Sequence, residues 1–241
     1  MLNVGNITVK RAKSVALNDV SFSIQAGKTL AVVGESGAGK STLIASILGL
    51  LTPSQGAITW SGAPVRACRP ALVMQEPRAA FNPVHSLRRS VQEPLRARKT
   101  NILTERLKRL CDGLELAPEL LNRKPAEVSI GQAQRVGILR ALVAAPPLIL
   151  FDEPLSALDA ITQKHTAKLI ADLQAEEGFT ALIVTHDLGY ACAFSDEIAV
   201  LRAGSIEEVG TPDAFVSNPK TNYGRKLRDA AFSLGALERR R

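Results

Sequence analysis

One eight-residue stretch limits the folds open to this chain more than any other feature of its sequence. Residues 34–41 read Gly-Glu-Ser-Gly-Ala-Gly-Lys-Ser, which matches the spacing G-x-x-x-x-G-K-S. A short apolar, β-branched stretch at 29–33 precedes it, and apolar residues at helical spacing follow it between 41 and 48. The sequence therefore predicts a buried strand, a glycine-rich loop and a helix, in that order.

This loop has the chemistry needed to bind a phosphate chain. Glycines let successive backbone N–H groups point inward, and the N-terminus of the following helix adds a partial positive charge. We expect Lys40 to reach the β- and γ-phosphates of a nucleotide and the Ser41 hydroxyl to ligate magnesium. The predicted nucleotide-binding residues are Gly34, Glu35, Ser36, Gly37, Ala38, Gly39, Lys40, Ser41 and Thr42.

Composition sets broad limits on the class of protein. A chain of 241 residues can bury one full core, with room for a small second lobe. The net charge of +7 suits either nucleic acid or the anionic inner leaflet of a membrane, and charge alone does not choose between them. The longest apolar run, 141–151, is interrupted by two prolines, and the first residues lack the pattern of a secretion signal, so we expect a cytoplasmic location. Three scattered cysteines are expected to be reduced thiols.

Alternating stretches predict an antiparallel β layer beside the phosphate-binding sheet. These stretches are residues 6–9, 20–24 and 56–60. Phe22 lies in one of them and is predicted to be a core residue. Late in the chain, 197–201 and 205–209 predict a closing hairpin, and a helix is expected around 222–234.

The middle of the chain begins with a proline-rich segment. Residues 70–99 contain several prolines and a run of arginines, and we predict an exposed, irregular connection there. Gln75 directly follows the apolar stretch 71–74, so it would lie at a strand end, where ligands bind in open α/β sheets. An ordinary surface glutamine is the alternative.

Two helices are predicted after this segment. Leucines at helical spacing indicate a helix from 104 to 121, ending near Pro118. Ser129 with Gln132 has the form of a capping box ahead of a helix over 134–145. Ser129 therefore marks a simple helix start or, with the N–H groups near Gly131, an anion site.

Two further strands end in groups suited to phosphate chemistry. Residues 148–152 read as a buried parallel strand, and we assign Asp152 as a magnesium ligand. Glu153 is the candidate for orienting or deprotonating the attacking water. Residues 180–185 predict a second strand, and His186 at its end is expected to contact the γ-phosphate.

Together these motifs resemble the ATP-binding subunits of ABC transporters, and the resemblance covers nearly the whole chain. It rests on six motifs in the family's order: the Walker A loop 34–41, Gln75 of the Q-loop, the signature 128–132, Walker B 148–152 with Glu153, the D-loop 156–159 and the switch histidine His186. The segment 74–85 further resembles the peptide and nickel importer branch and leans toward the nickel-type importers.

The resemblance implies an α/β fold, a P-loop NTPase (RecA-like) ABC ATPase core with an antiparallel β subdomain and a helical subdomain. Residues 1–75 and 146–241 would form the core and β layer, and 76–145 the helical subdomain. It also implies ATP and Mg2+ as ligands. The implied catalytic residues are Glu153, His186 and Gln75, and the implied metal ligands are Ser41, Gln75 and Asp152.

The resemblance further implies partners. Two ATP-binding subunits, here expected to be different chains, would form a head-to-tail dimer. Across it, Ser129, Gly131, Gln132 and Asp159 would meet the ATP on the other subunit's Walker A loop. Two transmembrane permease subunits and an external substrate-binding protein complete the usual assembly. The chain would lie peripherally at the cytoplasmic face of the inner membrane, with the basic stretch 85–99 toward the permeases and no nucleic acid expected.

Three departures from the family pattern carry expectations of their own. Ile130 replaces the first glycine of the signature LSGGQ, and its β-branched side chain is expected to weaken the composite ATP site, which suits a heterodimer. Arg11 or a neighbour, or Val15, stands where an aromatic residue usually stacks on adenine. The cysteine-bearing C-terminal extension of many peptide importers is missing, so no iron–sulfur cluster is expected.

ATP-driven import of nickel, metal chelates or di- and oligopeptides is the leading functional hypothesis. A soluble ABC ATPase acting on DNA or ribosomes would suit the positive charge. Chromosome-type members need a long coiled coil and translation-type members need two cassettes, and this sequence has neither. A nucleotide-binding regulator without hydrolysis conflicts with the presence of Glu153 and His186.

Overall fold

Four antiparallel strands form the first sheet. The computed structural model describes residues 1–11, 14–101 and 104–237. The strand β1 (Leu2–Arg11) pairs with β2 (Ser14–Ile24) and β4 (Gln55–Trp60), and the short β5 (Ala63–Pro64) pairs with β4 at the edge of the sheet. The predicted antiparallel layer is confirmed, and Phe22 is a core residue within it.

The strand ahead of the glycine-rich loop lies between two parallel neighbours. β3 (Thr29–Val33) pairs with β8 (Thr180–Thr185) on one side and with β9 (Glu197–Arg202) on the other. β10 (Ser205–Gly210) returns antiparallel to β9, so the predicted closing hairpin is confirmed. Every residue of β3 and β8 is buried, which explains why these strands read as nearly continuous apolar runs.

Four helices accompany these strands: α1 (Lys40–Ile47), α6 (Leu188–Phe194), α7 (Pro212–Ser217) and α8 (Asn222–Ser233). Helices α6, α7 and α8 bury side chains in one cluster with β3 and β9. The predicted C-terminal helix is therefore confirmed. Strands and helices together form the first of two compact units, Met1–Pro70 with Thr180–Arg241.

The second unit, Ala71–Phe179, combines a strand pair with four helices. β6 (Ala71–Val73) runs parallel to β7 (Leu148–Asp152), and both predicted strands are confirmed. The helices are α2 (Leu87–Arg98), α3 (Thr104–Gly113), α4 (Ile130–Leu142) and α5 (Ala160–Glu177). Short 3-10 turns lie at Arg78–Ala80, Pro118–Asn122 and Pro125–Glu127.

The prediction of an irregular connection across 70–99 is wrong for its second half. Ser86 caps α2, and Leu87, Val91 and Leu95 are buried along one face of that helix. The helix continues through Pro94. Burial of this apolar stripe outweighs the hydrogen bond that a proline removes from the helix.

Two helix boundaries also differ from the prediction. The helix expected over 104–121 ends at Gly113, because Glu115 adopts a left-handed conformation with φ 51° and cannot continue it. Helix α4 begins at Ile130, four residues earlier than expected, directly after the capping residue Ser129. Within the described ranges no helix combines the length and apolar character needed to cross a membrane.

Candidate nucleotide-binding site

The glycine-rich loop between β3 and α1 depends on two close backbone approaches. A side chain at Gly34 would collide with the carbonyl oxygen of Leu201, and a Cβ at Gly39 would lie 2.7 Å from the carbonyl oxygen of Ala16. Gly39 also has a φ of 110°, which other residues adopt only with strain. Both positions therefore require glycine for a structural reason.

The start of α1 concentrates hydrogen-bond donors and positive charge. No side chain in the described part of the protein caps its first turn, and that turn carries no acidic residue. The Lys40 ammonium folds back and donates to the carbonyl oxygens of Gly34 (2.7 Å) and Glu35 (2.9 Å). Ser41 is exposed and Thr42 is buried. Such an arrangement of N–H groups, helix dipole and one cation suits an anion.

His186 lies at the same edge of the sheet as this loop. β3 and β8 are parallel neighbours, and Val33 stands opposite Thr185 in their register. Gly34 and His186 are the next residues along each strand, and His186 is exposed. Asp187 then caps α6 by accepting a hydrogen bond from the backbone N–H of Tyr190 at 2.9 Å. The expected strand-end position of His186 is thus present in the first unit.

The second unit brings Asp152 and Gln75 to one edge in the same way. Val73 stands opposite Phe151 in the parallel pair of β6 and β7. Asp152, the last residue of β7, is half-buried, and Gln75 is exposed two residues beyond the end of β6. Both side chains therefore belong to the carboxyl ends of adjacent parallel strands, where ligands bind in such sheets.

Glu153 follows β7 in a backbone conformation that is unusual for its residue type. Its φ is 47°, in the left-handed region, and only 9% of the residue is exposed. Its carbonyl oxygen accepts hydrogen bonds from the Ser156 N–H (3.3 Å) and hydroxyl (3.0 Å). Non-glycine residues in this region cost about 1–3 kcal/mol and cluster at functional sites. No pattern in the sequence predicts this backbone conformation.

The signature segment is a complete capping box. The Ser129 hydroxyl accepts a hydrogen bond from the backbone N–H of Gln132 at 3.1 Å, and the Gln132 side-chain oxygen accepts one from the backbone N–H of Ser129 at 3.0 Å. The helix-start alternative for Ser129 is therefore present in the structure. Ile130, the first residue of α4, is 45% exposed. A Cβ at Gly131 would lie 3.1 Å from the side chain of Thr162.

Asp159 has a capping role at the start of α5, close to the signature. Its carboxylate accepts hydrogen bonds from the N–H groups of Ile161 (3.1 Å) and Thr162 (3.0 Å) and from the Thr162 hydroxyl (2.7 Å). These bonds, those from Thr162 above all, lower the pKa of the Asp159 carboxyl. Because the Thr162 methyl carbon lies only 3.1 Å from the place that a Cβ at Gly131 would take, the two segments predicted to meet a second subunit lie side by side.

Two residues beside the phosphate loop carried no signal in the sequence. Arg202 and Tyr223 line one cavity of about 250 Å3 with Glu35 and neighbouring loop residues. The guanidinium carbon of Arg202 lies 4.6 Å from the centre of the Tyr223 ring. Burial, and then the Glu35 carboxylate, raise the pKa of the Tyr223 phenol. Only the fold brings these residues to the loop, so no local motif could have found them.

The predicted metal ligands have the right chemistry for magnesium. Hydroxyl, carboxylate and amide oxygens are the ligands that this hard cation prefers, and Ser41, Asp152 and Gln75 supply one of each. In the described ranges there is no cluster of three or more His, Cys, Asp or Glu side chains able to hold a metal. Magnesium in nucleotide sites needs few protein ligands because phosphates and water complete its shell.

Fold and site together define a P-loop nucleotide-binding protein, and comparison with known proteins narrows the class. The family model described as ABC transporter matches residues 17–156, which is more than half of the chain. The chain belongs to the ABC transporter family, as an ATP-binding cassette. The family and the fold class predicted from the sequence are both confirmed.

Several relatives are similar over most of their length. The oligopeptide transport ATP-binding protein OppF of Escherichia coli is 37% identical over 89% of this chain and 69% of OppF. The nickel import ATP-binding protein NikE of Shigella dysenteriae is 35% identical over 98% of this chain and 92% of NikE. Among solved structures, the dimeric post-hydrolysis state of the ATP-binding cassette MJ0796 bound to ADP and Pi aligns with a TM-score of 0.76, at 29% identity over 88% of this chain and 99% of that one.

Proposed function

We propose that this chain is the ATP-binding and ATP-hydrolysing subunit of an ABC importer for di- or oligopeptides, nickel or other metal chelates. The observation that carries the proposal is the phosphate loop, with its two obligatory glycines, uncapped helix start and Lys40. The similarity to OppF and NikE supports an importer subunit over a soluble ABC ATPase that acts on nucleic acid.

In this proposal the loop residues Gly34 to Thr42 bind the phosphates of ATP. Lys40 exchanges its two loop carbonyls for the β- and γ-phosphates, since charge-assisted bonds to phosphate are stronger than bonds to neutral carbonyls. His186, at the neighbouring strand end, contacts the γ-phosphate. Glu153 orients or deprotonates the attacking water, and Gln75 completes the catalytic set.

Ser41, Asp152 and Gln75 would hold Mg2+, as their oxygen ligands suit. The ion would neutralise charge that develops on the β- and γ-phosphate oxygens. The chain's own part is to present the Ser41 hydroxyl at the start of α1 and the Asp152 carboxylate at the end of β7.

The proposed assembly follows the family arrangement. Ser129, Gly131, Gln132 and Asp159 would meet ATP bound by a second subunit in a head-to-tail dimer, and the dimeric MJ0796 cassette supports this part of the proposal. Residues 76–145 would act as the helical subdomain, next to a core of 1–75 and 146–241. Two permease subunits and an external substrate-binding protein would complete the importer at the cytoplasmic face of the inner membrane.

Uptake measurements test the proposal and identify the cargo. Cells with the chain, without it, or with Lys40→Ala would be given labelled nickel or a labelled dipeptide. Loss of uptake of one label in both altered strains is expected. Unchanged uptake of both labels, together with tight and saturable nucleic-acid binding by the purified protein, would favour the soluble ATPase instead.

A further inference from the structure

The C-terminal part of the first unit supplies a fixed aromatic platform beside the phosphate loop. Tyr223, the second residue of α8, is 7% exposed and belongs to the same buried cluster as Val33 and Phe215. Its ring therefore has core neighbours on one side. Its other side faces the cavity that it shares with Glu35 and Arg202.

The start of α8 is held in one place by a carboxylate from β10. Glu208 accepts hydrogen bonds from the backbone N–H groups of Lys220 (2.6 Å) and Thr221 (3.3 Å) and from the Thr221 hydroxyl (3.1 Å). A side chain at Gly224 would collide with this carboxylate, so the approach is as close as the backbone allows. These contacts fix the position of Tyr223, which lies in the first turn of α8.

Arg202 makes two contacts that hold its guanidinium near the loop, and a third contact ties the turn that follows it to the loop. Its guanidinium lies over the Tyr223 ring, and one of its nitrogens is 3.7 Å from a Glu207 carboxylate oxygen. The turn that follows Arg202 is tied to the loop, because the Gly204 N–H donates to the carbonyl oxygen of Ala38 at 2.9 Å. A cation over an aromatic face is attracted to it, which holds the guanidinium at the cavity.

The charges of Glu35 and Arg202 at this cavity should both affect nucleotide binding. Glu35 is the single acidic residue of the loop 34–41, and a carboxylate there repels a triphosphate. Among the described residues that line the cavity, Arg202 is the one cation and Glu35 the one anion. We propose that Arg202, held on the ring of Tyr223, is a positioning residue for nucleotide binding, whose charge offsets Glu35 and preserves the attraction of the loop for a triphosphate.

This inference rests on the proposed nucleotide-binding function of the loop, and a double-mutant cycle that neutralises each charge separates the two. ATP with magnesium would be titrated into the purified full chain and into Arg202→Gln, Glu35→Gln and the double variant. Arg202→Gln should weaken ATP binding by about fivefold at low salt, and the double variant should bind within about twofold of the unaltered chain. The fivefold loss should shrink at high salt, about 500 mM, because the cavity has room for several waters and its charges are screened.

The platform is tested separately. Tyr223→Leu should weaken ATP binding as much as Arg202→Gln, whereas Tyr223→Phe keeps the ring and should restore most of the affinity. Phe215→Leu is the matched control, because it alters the same buried cluster away from the cavity and should lower thermal stability without changing affinity.

Two results would overturn the inference: unchanged affinity in Arg202→Gln, or a double variant as weak as that single variant. If the proposed nucleotide-binding function of the loop were wrong, the titration would give a different result: Lys40→Ala would bind ATP as well as the unaltered chain.

Discussion

Glu153 has a strained backbone conformation and is also the residue proposed to orient or deprotonate the attacking water. Its left-handed conformation persists because Ser156 binds its carbonyl oxygen twice and because the residue is almost fully buried. The left-handed conformation bends the backbone away from the extended course of β7. A residue can therefore stand next to Asp152 in the sequence and still serve a different purpose.

Replacing Glu153 with glutamine should abolish turnover and retain bound ATP. The amide cannot accept a proton from water, and loss of a general base costs roughly 100- to 10,000-fold in rate. Phosphate release and ATP retention by the assembled transporter would be measured side by side. Glu176→Gln, an exposed glutamate of the same unit, should leave both unchanged. Brisk hydrolysis by Glu153→Gln would remove Glu153 from the mechanism.

Substitution of Ile130 tests whether this residue weakens the composite ATP site that the signature segment would form. Its side chain is 45% exposed at the first position of α4, where a β-branched group would crowd ATP bound by the second subunit. Ile130→Gly should raise ATPase activity of the assembled transporter, by about tenfold at most if about 1.4 kcal/mol of crowding is relieved. Ile161→Gly alters an exposed isoleucine in the first turn of α5 and controls for the helix cost of glycine. Equal activity before and after the Ile130 change contradicts the idea.

At the scale of elements, Glu208 anchors the start of α8 through three hydrogen bonds. Glu208→Ala should lower the free energy of unfolding by about 2 kcal/mol, the magnitude for hydrogen bonds to a charged group. This corresponds to a fall in Tm of roughly 4–8 °C for a domain of this size. Glu197→Ala, at an exposed position of β9, should shift Tm by much less. Equal shifts in the two variants would show that the anchor contributes nothing to stability.

The thermal stability of the protein should depend on pH in acid, because the carboxylate of Asp159 caps helix α5. Hydrogen bonds lower the pKa of Asp159 in the folded state, so its stabilising effect is present above the ordinary value of 3.8 and is lost as the pH falls through the lowered pKa. Asp159→Asn keeps a capping oxygen without the charge, and its Tm should fall less steeply than that of the unaltered chain over this acid range. Asp172→Asn, exposed on the same helix, serves as the control. Parallel Tm curves for Asp159→Asn and the unaltered chain would exclude a role for the charge.

The elements that sequence reasoning could find were those with strong local signals. β3, β7 and β8 are buried on both faces and read as continuous apolar runs, so the strand ends carrying Gly34, Asp152 and His186 were predictable. Helix α2 was missed because the prolines across 70–99 indicated an irregular connection, although Leu87, Val91 and Leu95 already formed a helical stripe. The Arg202 and Tyr223 platform depends on contacts between distant segments, and no local pattern reports those.

At the scale of the whole molecule, ATP with magnesium should stabilise the folded chain by mass action. At a ligand concentration of about 100 times Kd the gain is about 2.7 kcal/mol, which predicts a rise in Tm of roughly 5–10 °C. Lys40→Ala should lose most of this rise, because the loop then lacks its cation. Thermal unfolding with and without ligand measures both. A full rise in Lys40→Ala would mean that the stabilising ligand binds elsewhere.

The pairing of β3 with two strands from the last third of the chain has a consequence for biosynthesis. The strand that carries the phosphate loop finds its hydrogen-bonding neighbours only when residues 180–202 have left the ribosome. At a synthesis rate of about 5–20 residues per second, the apolar strand β3 remains unpaired for roughly 10–30 s after it has been made. Nucleotide capture is therefore a late event in the life of each newly made molecule, and chaperones have that interval in which to shield it.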